Sequence, residues 1–355
     1  MKTTMRQIVM EGPGKSRVME VPVPQIGKGE LLVRVTLSGI CHSELYPWMT
    51  AKKGDTLGHE SVGIVEKVGE GVEAFRPGDR VTGLGGGAFK EYIVMQAEKT
   101  VHVPDCLKDE DAISEPLACL LSAAMKLPIE TLGDPVAVVG CGYMGLGMIS
   151  LFRAMGYGKI TAIDKRPEAL ENALRFGATE VFTPDTIPEE YIMTFDTMGK
   201  VDLSRDGDNA PLFAMGCPTV MEFTGTQDGL QLAGDLVRAH GRLGIGGYHN
   251  DGPRSINYML WNFKAITTIN CHERRISYEA RLCQRCIDLL AGGSGSFKGL
   301  STRAFMSHWR NSTGANEEMA AHTNNYIKGR SAAAHMATAA FKKIPPDRFS
   351  RRRGR

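Results

Sequence analysis

The chain has 355 residues, 42% hydrophobic and 23% charged, close to the globular average. At roughly 150 residues per domain that length suits two domains. A formal net charge of +2 excludes any bulk electrostatic attraction to nucleic acid or to an anionic membrane. Arg348, Arg351, Arg352, Arg353 and Arg355 form a local basic run, but no aromatic stacking surface accompanies it, so it reads as a solvated tail.

Met1 to Gly14 lacks the apolar core of a signal peptide. Leu31 to Val35 reads as a buried strand, and Ser61 to Val68 alternates weakly before Gly69 and Gly71. Arg76-Pro77-Gly78-Asp79 is a turn leading into a short strand, Arg80 to Thr82. Short strands punctuated by Gly and Pro imply a compact, barrel-like domain. From Ala112 to Lys126 the texture becomes helical, with Pro128 beyond as a stop.

Strand and helix then alternate: Val136–Val139, helix Leu146–Met155, Lys159–Ile163, helix Glu168–Phe176, Val220–Phe223, helix Gly229–Ala239, Gly241–Ile245. That rhythm predicts an α/β fold with a doubly wound parallel sheet. Residues 183 to 216 are polar with weak periodicity and give no clear element. A helix is expected from Ile276 through Leu290. Beyond Gly292 the chain contains no valine and offers no readable pattern. The apolar stretch Val136 to Phe152 is interrupted by Gly140, Gly142, Gly145 and Gly147, which argues against a membrane span. The eight cysteines form no even framework. They read as reduced thiols, so a cytoplasmic protein without membrane or nucleic-acid partners is expected.

Gly140-Cys141-Gly142-Tyr143-Met144-Gly145 is G-x-G-x-x-G directly after a strand and opening a helix. Gly140 makes the tight turn, Gly142 lets backbone approach a pyrophosphate, and Gly145 lets helix pack on sheet. The helix N-terminus offers N–H groups and partial positive charge to the phosphates, with Tyr143 and Met144 in its first turn. Asp164 ends the next strand, where a carboxylate accepts hydrogen bonds from the ribose hydroxyls of NAD and repels a 2′-phosphate. Lys165 and Arg166 follow at once, so NADP also fits the pattern.

Cys41, after a strand, and His59-Glu60, a short loop further on, supply the thiolate, imidazole and carboxylate of a zinc site. Gly58-His59-Glu60-Ser61-Val62-Gly63, with Gly69 and Val72, resembles the signature of the zinc-containing alcohol dehydrogenases of the medium-chain dehydrogenase/reductase family. The resemblance runs over roughly residues 5 to 290, with three motifs in the family's order; past residue 300 only Asn325-Tyr326-Ile327-Lys328-Gly329 matches.

That resemblance implies a GroES-like β-barrel catalytic domain over residues 1–117, an NAD-binding Rossmann domain over 118–271, and a return to the catalytic domain over 272–355, with the active site in the cleft between domains. It implies Cys41 and His59 as ligands of one catalytic zinc and Glu115, in Ser114-Glu115-Pro116-Leu117, as third ligand. A glutamate there resembles the polyol, glucose and threonine dehydrogenase branch. In that branch Glu60 also binds metal, so the fourth position alternates between Glu60, Glu115 and water. Ser43 resembles the hydroxyl that takes the substrate's proton. His42 resembles the basic residue near the cofactor phosphates, and Lys328 a second one. The implied activity is hydride transfer between a secondary alcohol or polyol and NAD, in a homodimer or homotetramer.

Three departures stand out. Glu44 replaces the usual aspartate behind the zinc ligands. Tyr46 occupies the place of the histidine that ends the proton relay, and with Trp48 it lies where substrate contact or plain loop packing would serve equally. The C-terminal segment lacks the expected β-branched strand. No cysteine lies between Cys41 and Cys106, so a four-thiolate structural zinc site is not expected. Cys283 and Cys286 read as helix packing. Two alternatives are a zinc-free enone or quinone reductase of this fold and an inactive cofactor-binding member.

Overall fold

The computed structural model describes residues 2–200, 215–292 and 329–331. It divides into two compact units. One spans Met1–Glu115 and Phe305–Arg355, and the other spans Pro116–Ala304. The first division falls at Glu115/Pro116; the sequence reading sets the boundary after residue 117. The expectations for Lys328 and for most of residues 293–355 lie outside the described residues.

The first unit opens on an antiparallel hairpin, β1 (Thr4–Gly12) and β2 (Lys15–Pro22). Its main sheet is built around β3 (Glu30–Ile40), which pairs antiparallel with β4 (Glu60–Val68), with β6 (Tyr92–Gln96) and with β14 (Gly329–Ser331). The sheet continues through β5 (Arg80–Leu84) to β7 (Thr100–His102). Leu31, Val33 and Val35 alternate into a core with Val65, Val81, Ile93 and Met95, the period of two of one strand face, while Leu32 on the other face packs with Met5, Val23 and Tyr92. A short helix, α1 (Leu45–Thr50), follows a 3-10 turn over His42–Glu44. Trp48 on it is 1% exposed and packs with Met10 and Ala51, which decides Trp48 in favour of packing.

The second unit begins with α2 (Glu115–Met125) and carries the six-stranded parallel sheet in the order β10-β9-β8-β11-β12-β13. These strands are β8 (Val136–Val139), β9 (Ile160–Ile163), β10 (Glu180–Phe182), β11 (Cys217–Glu222), β12 (Val237–Ile245) and β13 (Thr267–Asn270). The helices between them include α3 (Tyr143–Met155), α4 (Pro167–Arg175), α5 (Phe195–Met198), α6 (Gln227–Leu236) and α7 (Tyr258–Phe263). The doubly wound parallel sheet expected from the sequence is present. Its strand order reverses between β8 and β11, and such a switch point opens a ligand crevice at the carboxyl ends of the strands.

The helix expected over Gly229–Ala239 ends at Leu236, and Val237 already opens β12. Lys264 explains the stop. It is fully buried, and its Nζ donates to Gly234 O at 2.6 Å, Met193 O at 3.0 Å and Asp235 O at 3.4 Å. A cation thus takes carbonyls that the end of α6 leaves open. The last helix, α8 (Ile276–Ala291), buries Cys283 and Cys286. Among the described residues no helix is long and apolar enough to cross a membrane.

Candidate functional site

The register of β3 on β4 sets Gly39 opposite Glu60. Cys41, just past the end of β3, and His59, just before the start of β4, are thereby brought to one end of the same pair. One ligand atom each from Cys41, His59 and Glu60 lie within 4.8 Å of one another. Glu60 is fully buried, and a Cβ on Gly39 would stand 2.0 Å from its Oε2. Only glycine leaves room for that carboxylate.

Glu44 braces the set from behind. Its Oε1 lies 2.9 Å from His59 Nδ1 and accepts the Gly58 N–H at 2.6 Å, while Oε2 accepts the Cys41 N–H at 3.3 Å. A carboxylate on Nδ1 fixes the imidazole's orientation and tautomer and leaves Nε2 for a metal. The departure from aspartate therefore does not cost His59 its orienting partner. Gly58, at φ +97°, has no room for a side chain, since a Cβ would meet Phe89 N at 2.7 Å.

Burial alone would lower the pKa of His59. The hydrogen bonds to Cys41 and Glu44 and the charges of Glu115 and Cys41 outweigh that and push it up to about 12. Thiol, imidazole and carboxylate within reach of one another, with a carboxylate behind the histidine, fit zinc.

Ser43 Oγ donates to Cys41 Sγ at 3.2 Å, so its hydroxyl stands beside the metal donors. His42 and Tyr46 are exposed. Glu115 opens α2. It is not grouped with Cys41, His59 and Glu60, although its charge reaches His59. The structure thus gathers Cys41, His59 and Glu60, and the charge of Glu115 is felt at His59.

In the second unit, β8 leads into Gly140, at φ +96°, where a Cβ would meet the backbone of Phe223 and Thr224 at 2.9 Å. A Cβ on Gly145 would lie 1.9 Å from Gly140 O. Gly142, which caps α3, has open space where its Cβ would be. Two glycines are thus dictated by packing, and the third keeps open ground before a helix N-terminus. That combination fits a dinucleotide pyrophosphate. Tyr143 is buried and Met144 partly so.

Asp164, after β9, is already engaged. Its Oδ2 accepts the Cys141 N–H at 2.8 Å and Arg166 Nη2–H at 3.1 Å, and Oδ1 accepts the Arg166 backbone N–H at 2.9 Å and Nε–H at 3.0 Å. Burial alone would raise its pKa, but Arg166 and the Cys141 N–H hold it below the usual carboxylate range.

A third constellation is not evident from sequence. Glu222, fully buried at the end of β11, accepts the N–H groups of Thr224 and Gly225 at 2.6 and 2.7 Å, and its Oε2 lies 3.0 Å from His249 Nε2. Arg254 Nε donates to His249 Nδ1 at 2.8 Å. With Nδ1 accepting from Arg254, Nε2 is the nitrogen that donates to Glu222. The group stitches the loops after β11 and β12 together beside the switch point. An acidic residue ending a strand, and a histidine just past Gly246-Gly247, are the signals available in the sequence.

Residues 27–105 match the alcohol dehydrogenase GroES-like domain family, and residues 144–286 the zinc-binding dehydrogenase family. The chain is 27% identical to a sorbitol dehydrogenase of Bacillus subtilis (strain 168) over 300 residues, covering 73% of this chain and 80% of that protein. It is 30% identical to an (R,R)-butanediol dehydrogenase of the same organism over 237 residues, 55% of this chain and 68% of the other. A zinc-binding dehydrogenase from Sinorhizobium meliloti 1021, solved bound to NADP, superposes with a TM-score of 0.67 at 25% identity, covering 82% of this chain and 90% of that one. The chain belongs to the zinc-type medium-chain dehydrogenase/reductase family, in its polyol and threonine dehydrogenase branch.

Proposed function

We propose that this chain is a zinc-dependent dehydrogenase that transfers hydride between the carbinol carbon of a secondary alcohol or polyol and a nicotinamide dinucleotide. The observation that carries the reading is the Cys41, His59 and Glu60 donor set braced by Glu44. Relatives named for sorbitol and butanediol add the substrate class. The donor set also speaks against a zinc-free reductase, which has no use for it.

Cys41, His59 and Glu60 would hold one catalytic zinc, with Glu115 as the alternative carboxylate. When bound, zinc supplies Lewis-acid polarisation of a hydroxyl oxygen and the nicotinamide a hydride acceptor. Glu44 fixes His59 through Nδ1. Ser43 Oγ, beside Cys41, takes the substrate's proton and passes it outward. Exposed Tyr46 meets substrate or solvent in place of a relay histidine. Gly140, Gly142 and Gly145 receive the pyrophosphate with Tyr143 and Met144, and His42 and Lys328 supply positive charge to it. The first unit acts as the catalytic domain, the second as the nucleotide domain, in a cytoplasmic homodimer or homotetramer.

The test is NAD(P) reduction by zinc-loaded protein over a panel of sugar alcohols, vicinal diols, simple alcohols and threonine, beside chelator-stripped protein. Turnover of a polyol that disappears on stripping and returns with zinc is the expected result. Equal turnover without zinc would overturn the reading.

A further inference from the structure

We propose that Arg166 makes the adenosine-ribose end of the nucleotide site take 2′-phosphorylated NADP at least as readily as NAD. The inference rests on reading Gly140 to Gly145 as the nucleotide turn, and it concerns what stands beside that turn.

An ionised carboxylate has about four lone-pair positions on its two oxygens. Asp164 spends them on four N–H donors: the Cys141 backbone, and the Arg166 backbone, Nε and Nη2. Accepting two ribose hydroxyls would mean surrendering part of this set. One donor, Cys141, belongs to the glycine turn itself, so Asp164 already serves to hold that turn against the end of β9. The residue that would select NAD is occupied as a brace.

Charge points the same way. A lone carboxylate repels a 2′-phosphate, but Arg166 lies 3.0 Å from Asp164 and cancels it. Lys165 adds a further positive charge; its side chain is 74% exposed, with Asp228 at 3.8 Å. Over Asp164, Lys165, Arg166 and Asp228 the charges balance, where a lone acid would leave a net negative charge. Arg166 keeps 22% of its side chain exposed; its Nε–Nη2 edge is closed on Asp164, so a 2′-phosphate would share this guanidinium with the carboxylate. It caps the N-terminus of α4, and its backbone N–H is tied to Asp164, so its place is fixed by the turn and does not depend on a ligand.

The test is direct binding, read from nicotinamide fluorescence as NADPH and NADH are titrated into the zinc-loaded full chain without substrate. NADPH is expected to bind as tightly as NADH, or tighter. Removing a charge-assisted phosphate contact costs about tenfold or more in affinity, so Arg166→Gln should weaken NADPH by that much while leaving NADH unchanged or tighter. A wild-type preference for NADH would overturn the proposal, as would an Arg166→Gln variant that weakens both nucleotides equally. If the variant does not fold, competition on wild-type protein decides: 2′,5′-ADP should displace the bound nucleotide at lower concentration than 5′-AMP, and the reverse order overturns the proposal. Failure of both dinucleotides to bind would instead refute the nucleotide turn, and this inference with it.

Discussion

Replacing Glu44 separates the organisation of the metal donors from their identity. The carboxylate accepts the Gly58 N–H at 2.6 Å and the Cys41 N–H at 3.3 Å, and holds His59 Nδ1 at 2.9 Å. Glu44→Ala leaves two backbone donors without that acceptor, at about 1–3 kcal/mol for each one left buried and unsatisfied. The cost falls on a segment that cannot relax by moving Gly58, because Phe89 backs it. Freed from its partner, the His59 ring can rotate, and losses of this kind lower metal affinity by about 10–100-fold. Glu44→Gln keeps an acceptor for Gly58 and His59 but removes the charge, so an intermediate loss is expected. The assay is zinc competition against a chromophoric chelator at fixed pH, paired with melting of the zinc-free protein. If Glu44→Ala melts lower yet holds zinc within about twofold of wild type, against the 10–100-fold expected, Glu44 is only a loop brace.

Cys41→Ser and His59→Ala should each abolish turnover while NADH fluorescence titrations stay near wild type, because the nucleotide turn lies in the other unit. Gly145→Ala should fail to fold normally, since its Cβ would lie 1.9 Å from Gly140 O. Gly142→Ala should keep its melting temperature and lose nucleotide affinity, because it adds a methyl to open ground that the phosphates need. Lys264→Met strips Gly234 O and Met193 O of their donor and should cost about 2–5 kcal/mol in denaturant titrations. Burial lowers the pKa of Lys264 to about 8, from 10.5. Between those values the unfolded chain binds the extra proton, so the group's contribution to stability rises with pH. Wild type should therefore gain on Lys264→Met as pH goes from about 8 to about 10, and a difference that shrinks over that range contradicts the burial argument.

Much of the fold is legible in the sequence because single residues carry it. Val136–Val139 appears as read, since four apolar β-formers running into a glycine turn leave few alternatives. Cys41 and His59 are paired in the sequence by their resemblance to a family signature, and the register that sets them at one end of two adjacent strands is visible only in the structure. The β1–β2 hairpin is hidden because β2 alternates only between exposed and partly buried positions, which gives little hydrophobic contrast. The end of α6 is hidden because its determinant, Lys264, lies 28 residues beyond Leu236 in sequence. Asp164 reads as a free acid because sequence shows only that an arginine follows, whereas geometry shows the fork closed on it.

The central claim is that one zinc, held by Cys41, His59 and a carboxylate, is required for turnover and not for folding. Zinc content per chain, measured on purified protein before and after chelation alongside activity, melting and NADH binding, tests it most directly. About one zinc per chain is predicted, with chelation removing activity while the fold and nucleotide binding persist, as a catalytic site would behave. Undiminished polyol oxidation by protein shown to be free of zinc would contradict it.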